Sequence, residues 1–213
     1  MARSMAGTLL LTGFEPFGAW DVNPSWEVTR RLDDESIGSL RVVGRRLPVS
    51  WEGTWRALKD YIEEVNPGAI LMLGLANKRA YISVESRGLN KCSQTADNEG
   101  KQAPGALIHE QGDEAISSTL PVEAMVKSIE ALGLPVLVSD DAGGYLCNFA
   151  IYKSLAWARE ERPDLPIGFI HVPNLIGVAE EGGLSLEEMG SAVTAAIMAI
   201  AESLQRRAVS VGP

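Results

Sequence analysis

Short apolar runs alternate along this chain with stretches in which apolar residues recur every three or four positions. Residues 8–11, 40–48, 69–75, 135–138 and 167–172 are runs of strand length bounded by Gly, Pro or Asn. Between them the helical period takes over. Asn23-Pro24 offers an N-cap followed by Pro at the first helical position, with Trp26, Val28 and Leu32 for the buried face. From Ser50 onward Trp55, Leu58, Tyr61, Ile62 and Val65 keep helical spacing until Asn66-Pro67-Gly68 stops it. Val122, Met125, Val126, Ile129 and Leu132 mark a third helix, Ile151, Leu155 and Ala158 a fourth, and an Ala-rich helix capped by Ser185 runs from Leu186 to about Arg206. The almost unbroken apolar character of 69–75 is that of a strand covered on both faces, as in parallel sheets, and 135–138 reads as a buried strand as well. Repeated strand, helix, strand order predicts an α/β fold, a three-layer α/β/α sandwich around a twisted, mostly parallel sheet, organised as one domain over residues 1–213.

One stretch breaks the rhythm. Residues 81–87 alternate apolar and polar like a strand, then give way to a long polar segment, 90–112, with no periodicity. A structureless length of this kind in a compact domain is a functional loop or an assembly segment, and its apolar Leu107 and Ile108 favour oligomerisation. His109 and Cys92 lie in it and are expected to be bystanders. The chain is 46% hydrophobic with a formal net charge of −9, which leaves no basic stripe to displace counterions from nucleic acid. No apolar run approaches the roughly 18 residues of a membrane span, and no signal peptide is legible, so membrane association is not expected and a cytoplasmic protein is. Two cysteines fit a reducing compartment. Two histidines, without CxxC or HExxH spacing, give no expectation of a metal.

Candidate chemistry gathers at the ends of the runs. Gly143-Gly144 permits a sharp turn after 135–138 and places Cys147 at a helix N-terminus, where unpaired N–H groups and the dipole favour the thiolate. The alternative is a small buried hydrophobe. His171 ends the run 167–172 just before Pro173, and Glu85 lies near the end of 81–87, where it is either a solvated strand residue or a partner for the histidine. In open α/β sheets ligands bind at the carboxyl ends of strands, so these groups and the loops after Leu11, Leu75 and Val138 are expected along one sheet edge. Phe14 and Phe17 form either a flat slot for a planar group or a clamp for the helix that follows. Were the three groups to meet, His171 would take the thiol proton, Glu85 would hold the imidazole tautomer, and backbone N–H groups from Gly144 to Cys147 would receive an oxyanion.

Thr12-Gly13-Phe14-Glu15-Pro16-Phe17-Gly18, Asn23-Pro24-Ser25, Asp97-Asn98-Glu99-Gly100, Gly144-Tyr145-Leu146-Cys147-Asn148 and Gly168-Phe169-Ile170-His171-Val172-Pro173 resemble, in order and spacing over nearly the whole chain, the motifs of pyroglutamyl peptidase I, also called pyrrolidone-carboxylate peptidase. The resemblance implies a cytoplasmic thiol protease, often a homotetramer, that removes N-terminal pyroglutamate from peptides without a cofactor. It implies Cys147 as nucleophile, His171 as base and then acid, Glu85 as orienter, an oxyanion site at Gly144 and Cys147, and a lactam pocket of Phe14, Phe17 and Tyr145 with Asn23 and Leu75 beside it. Two departures touch that site. Leu75 stands where the family carries a Gln whose amide would read the lactam, a hydrogen bond worth on the order of 1–3 kcal/mol. The family's Glu-Arg pair reads Glu85-Ser86-Arg87 here, and an arginine expected before Asp97 is replaced in the Gln94-Thr95 neighbourhood, which leaves Arg87 as the candidate to compensate. Glu15 is the nearby acid that would disfavour a neutral-ring pocket. A non-catalytic or altered-specificity relative that binds blocked or cyclic N-termini is the alternative.

Overall fold

The structure is a computed structural model that describes residues 7–18, 20–178 and 182–210. Among these, seven strands form one sheet: β1 (Gly7–Phe14), β2 (Ser36–Ile37), β3 (Leu40–Leu47), β4 (Ala69–Leu75), β5 (Ile82–Glu85), β8 (Val136–Ser139) and β9 (Ile167–Val172), in the order β2-β3-β1-β4-β9-β5-β8. Two further strands, β6 (Arg87–Leu89) and β7 (Ala115–Ser117), pair antiparallel in a small second sheet. The helices are α1 (Pro24–Leu32), α2 (Gly53–Val65), α3 (Val122–Glu130), α4 (Leu146–Glu161) and α5 (Leu186–Ser210). β3, β1, β4 and β9 run parallel to one another, and β5 runs antiparallel to β9 with β8 parallel to β5. The sheet is thus mostly parallel, with helices on both faces, as the strand and helix periods predict.

The period-2 alternation of each strand sorts its side chains into two cores. Leu9, Leu11, Leu71, Leu73, Val84 and Ile170 face the layer of α1, α3 and α5. Leu10, Ile70, Met72 and Phe169 face α2 and α4. The helix signals work as read: Asn23 Oδ1 accepts from Ser25 N at 3.1 Å, Asn66 ends α2 in the left-handed region at φ 44°, and Ser185 and Glu188 exchange hydrogen bonds at the start of α5.

Three expectations change. β1 continues to Phe14, paired in register with Leu47, so Thr12-Gly13-Phe14 is strand and the loop begins at Glu15. β8 is not a buried strand: it is an outer strand of the sheet, and Leu137 and Val138 are half exposed, because a four-residue apolar run cannot say whether a second neighbour will cover it. Finally, the antiparallel β5 and β8 send their carboxyl ends away from those of β1, β4 and β9, so the expected common sheet edge does not include the loop after Val138.

Between β6 and β7 the segment 90–114 carries no helix or strand, yet it is pinned by side chains. Asn148 joins Leu89 N, Leu89 O and Lys91 O, Asn90 Oδ1 accepts from Ile108 N and His109 N, and Tyr152 Oη donates to Asp113 O. Close approach elsewhere demands glycine. A Cβ on Gly13 would overlap the Ser25 carbonyl where β1 meets α1, while the Ser25 hydroxyl accepts from Phe14 N at 3.0 Å. Gly13→Ala is expected to cost roughly 3 kcal/mol through this overpacking, seen as a drop of about 6–12 °C in the thermal midpoint.

Candidate active site

Strand register builds the site before any side chain is considered. In the antiparallel ladder Glu85 lies opposite Phe169 and Ser83 opposite His171. Residues two apart share a face, so the carboxylate of Glu85 and the imidazole of His171 are diagonal neighbours on the face that carries α2 and α4. They meet as Glu85 Oε1 to His171 Nδ1 at 2.7 Å, both buried. On the other side of His171 its parallel partner is Gly74. A Cβ there would stand 2.6 Å from Cys147 Sγ and 2.7 Å from Phe169 Cζ, so the missing side chain is the space the thiol occupies. The three groups therefore come together over one face of the sheet, close to the carboxyl ends of its central strands β4 and β9.

Cys147 is the second residue of α4, with Tyr145 as N-cap. The expected thiolate does not follow. Burial pushes the Cys147 thiol up to about 12, the charge of Glu85 adds to that, and its own backbone N–H and Arg79 oppose it only in part. Helix-end stabilisation is here the weaker effect. Burial also works against the charge of Glu85, but the hydrogen bond and charge of His171, with Ser139 and Arg79, outweigh it and hold the carboxyl below its usual range.

Cys147 and His171 line a cavity of about 340 Å³, together with Phe14, Phe17, Asn23, Leu75 and the ring of Tyr145. Tyr145 stacks edge-on to Trp51 at 5.5 Å and tilts toward Phe17 at 6.3 Å, and its hydroxyl donates to Ala96 O. Gly144 also lines the cavity, with its carbonyl accepting from Ser93 N. Gly143 N is taken by Asp141 Oδ1 at 2.9 Å, whereas Cys147 N lies in the first turn, where helix N–H groups lack intrahelical acceptors.

Several motif residues make structural contacts, Asn23 while it also lines the cavity. Glu15 is not in the cavity wall; its Oε1 accepts from Val49 N and Asn98 Nδ2. Asp97 accepts from Trp51 N, Glu99 N and Lys101 N, and the buried Asn23 divides its amide between capping α1 and binding Glu15 O. Arg87 does not reach the site, because its guanidinium is held by Asp140 through the backbone carbonyl and Oδ2. The cation that reaches the acid of the site is Arg79, which donates to Glu85 Oε1 at 2.9 Å. It sits in a turn after β4, where neither periodicity nor composition singles it out. Among the described residues no three His, Cys, Asp or Glu side chains converge in a way that would hold a metal ion, and no helix is long and apolar enough to cross a membrane.

Comparison with known proteins gives one answer. A profile of the pyroglutamyl peptidase family matches residues 7–203. The pyrrolidone-carboxylate peptidase of Bacillus cereus strain G9842 is 38% identical over 169 residues, 79% of each chain. The crystal structure of Bacillus amyloliquefaciens pyroglutamyl peptidase I is similar with a TM-score of 0.88 and 31% identity, covering 92% of this chain and 97% of that one. The pyrrolidone carboxyl peptidase of Thermococcus litoralis is similar with a TM-score of 0.88 and 34% identity, covering 94% and 96%.

Gly74→Ala tests the packing on which the site rests. The methyl group must displace either the thiol or the Phe169 ring, an overpacking cost of about 1–3 kcal/mol. A lowered thermal midpoint and altered alkylation of Cys147 are expected; a variant with both unchanged would mean that this space is not closed.

Proposed function

The chain belongs to the pyroglutamyl peptidase family, and we propose that Cys147, His171 and Glu85 carry its chemistry, the hydrolysis of the amide bond after an N-terminal pyroglutamyl residue of peptides. The observation that supports this most is the buried 2.7 Å contact between Glu85 and His171 beside a thiol seated over the strand partner of that histidine. His171 takes the thiol proton as Sγ attacks the pyroglutamyl carbonyl carbon, and the carbonyl oxygen becomes an oxyanion. Backbone N–H groups of Cys147 and Gly144 receive that charge. His171 then gives the proton to the departing amine, the C–N bond breaks, and a thioester remains. Water, deprotonated by His171, attacks the thioester, and collapse returns the thiol and free pyroglutamate. Each step uses groups of the chain and water.

Selectivity follows from the wall of the cavity. Phe14, Phe17 and Tyr145 suit the flat, neutral lactam, and Leu75 adds apolar surface where an amide would otherwise read it. The lining includes Lys78 and Arg79 but no carboxylate. A free ammonium N-terminus would therefore lose its hydration without gaining a partner, a penalty of several kcal/mol. The substrates are peptides with N-terminal pyroglutamate; nucleic acid is not a partner. Two free cysteines fit a cytoplasmic enzyme, and we read residues 1–213 as one peptidase domain.

A chromogenic pyroglutamyl amide tests the chemistry. Release by the parent, and a loss of about a thousandfold or more in Cys147→Ser, is the expected result. Turnover that survives in Cys147→Ser removes the thiol from the mechanism, and a parent that binds the amide without cleaving it makes the chain a binding relative instead. Self-association as a dimer or tetramer belongs to the same reading, supported by the apolar outer strand β8, since an uncovered strand edge is a template for another. Replacing both Leu137 and Val138 by Lys is expected to lower the mass measured by light scattering. An unchanged oligomer would take β8 out of the interface.

A further inference from the structure

We infer that Arg79 is a positioning residue for this reaction, its guanidinium clamping the acid of the proposed triad to the loop that delivers the thiol. The inference rests on the peptidase reading for its role in turnover, and on geometry for the clamp itself. Arg79 Nη1 donates to Glu85 Oε1 at 2.9 Å, the same oxygen that His171 uses, and Arg79 Nη2 donates to the backbone carbonyl of Asp141 at 2.9 Å. Asp141 lies between the end of β8 and Gly143, in the stretch 140–145 that leads directly to Cys147. One planar side chain thus joins Glu85 to the loop two residues beyond its ladder partner Ser139.

That connection is needed because of the topology. β5 and β8 run antiparallel to β9, so the chain leaving β8 heads away from the carboxyl end of β9 and must turn back over the sheet face to bring Cys147 above Gly74. The returning segment, with Gly143 at φ 84°, is held at its two ends by Arg87 on the Asp140 carbonyl and Ser93 N on the Gly144 carbonyl. Five polar contacts fix it at Asp141: Oδ1 accepts from Gly143 N at 2.9 Å, Oδ2 from Lys91 Nζ at 2.8 Å, the carbonyl from Arg79 at 2.9 Å and from Ser139 Oγ at 3.3 Å, and the backbone N–H donates to Ser139 Oγ at 3.4 Å. Of the two cations at Asp141, Arg79 is the one that also reaches Glu85. The backbone of Arg79 is held in turn, since its N–H donates to Ala76 O at 3.0 Å just past β4. Arginine suits the task where lysine does not, because a rigid fork can satisfy two acceptors in different directions and an ammonium on a flexible stem serves one.

The clamp also has an electrostatic sense. Facing this point are Glu85 from β5, His171 from β9, Cys147 from α4, and Asp141 with its partner Lys91 from the flanking loops. Arg79 offsets part of the carboxylate charge that would otherwise bear on the thiol.

Arg79→Ala, Arg79→Gln and Arg79→Lys decide the matter, with the glutamine variant serving if the alanine variant does not fold. In the neutral variants kcat is expected to fall roughly ten- to a hundredfold, as for a misplacement of about 1 Å, while KM changes by less than about threefold. Alkylation of Cys147 by iodoacetamide, followed by peptide mass spectrometry so that Cys92 is counted apart, is expected to move to higher pH because a cation that favoured the thiolate is gone. Arg79→Lys is expected to restore the alkylation profile but only part of kcat. An unmoved alkylation profile in the neutral variants, with or without loss of turnover, overturns the clamp, and so does parental kcat in a folded neutral variant. If the parent itself releases no pyroglutamate, the failure falls on the peptidase reading, and the alkylation profiles still decide the clamp.

Discussion

The antiparallel pairing of β5 against β9 is the constraint on which the site depends. It sets Glu85 across from Phe169 and lets its carboxylate reach diagonally to His171. A slip of one residue in that ladder would turn Glu85 to the opposite face, where Ile170 and Val172 of β9 pack in the layer of α3 and α5. A carboxylate there would be buried without a partner, at a cost of several kcal/mol. The acid and the base therefore specify the register as much as the register positions them. Gly74 completes the arrangement from the other side of β9, where the parallel ladder puts it level with His171 and the lack of a Cβ leaves room for sulfur.

Much of the polar chemistry around this centre is structural. Asp97 gathers three backbone N–H groups, Asn98 ties its loop to Glu15 and Pro16, Asn148 crosses from α4 to β6, and Asn23 divides its amide between α1 and Glu15. These side chains stand in for the ladder that 90–114 lacks, since backbone groups near a core need partners whether or not a strand supplies them. The loop meets the cavity wall from behind, through Ser93 N to the Gly144 carbonyl and through the Ala96 carbonyl to the Tyr145 hydroxyl. Glu15 shows the economy of the scheme: the acid that threatened a neutral-ring pocket is spent on Val49 N and Asn98.

Periodicity made most of the elements legible, because burial of one helix face or of alternate strand positions is written directly into residue order. β4 and β9 were readable to the residue, and the start of α1 as well. Strand direction was not. Whether β5 runs with or against β9 depends on how the connections cross the sheet, and the residues of 82–85 are equally suited to both. The exposed face of β8 was hidden for the same reason, since apolar composition states what a strand tolerates and not who its neighbours are. Arg79 escaped because its importance lies entirely in two acceptors, Glu85 and the Asp141 carbonyl, 6 and 62 residues away in sequence. The motif residues Cys147, His171 and Glu85 were nameable from their types and places, but their meeting over the sheet face is a property of topology.

The reversal of the expected thiol behaviour follows from the same arrangement. A helix N-terminus favours the thiolate by a fraction of a charge, whereas burial beside Glu85 disfavours it strongly, so an isolated thiolate is suppressed. The effect of Glu85 depends on where the proton goes. While His171 is neutral, the carboxylate only repels negative charge on sulfur; once the imidazole has taken the thiol proton, the same carboxylate, 2.7 Å from Nδ1, stabilises the imidazolium. In the proposed mechanism, charge separation is therefore a concerted transfer and not simple ionisation. In the proposed reaction such a thiol becomes the nucleophile as its proton passes to His171, so the base and the acid behind it matter more than the helix end.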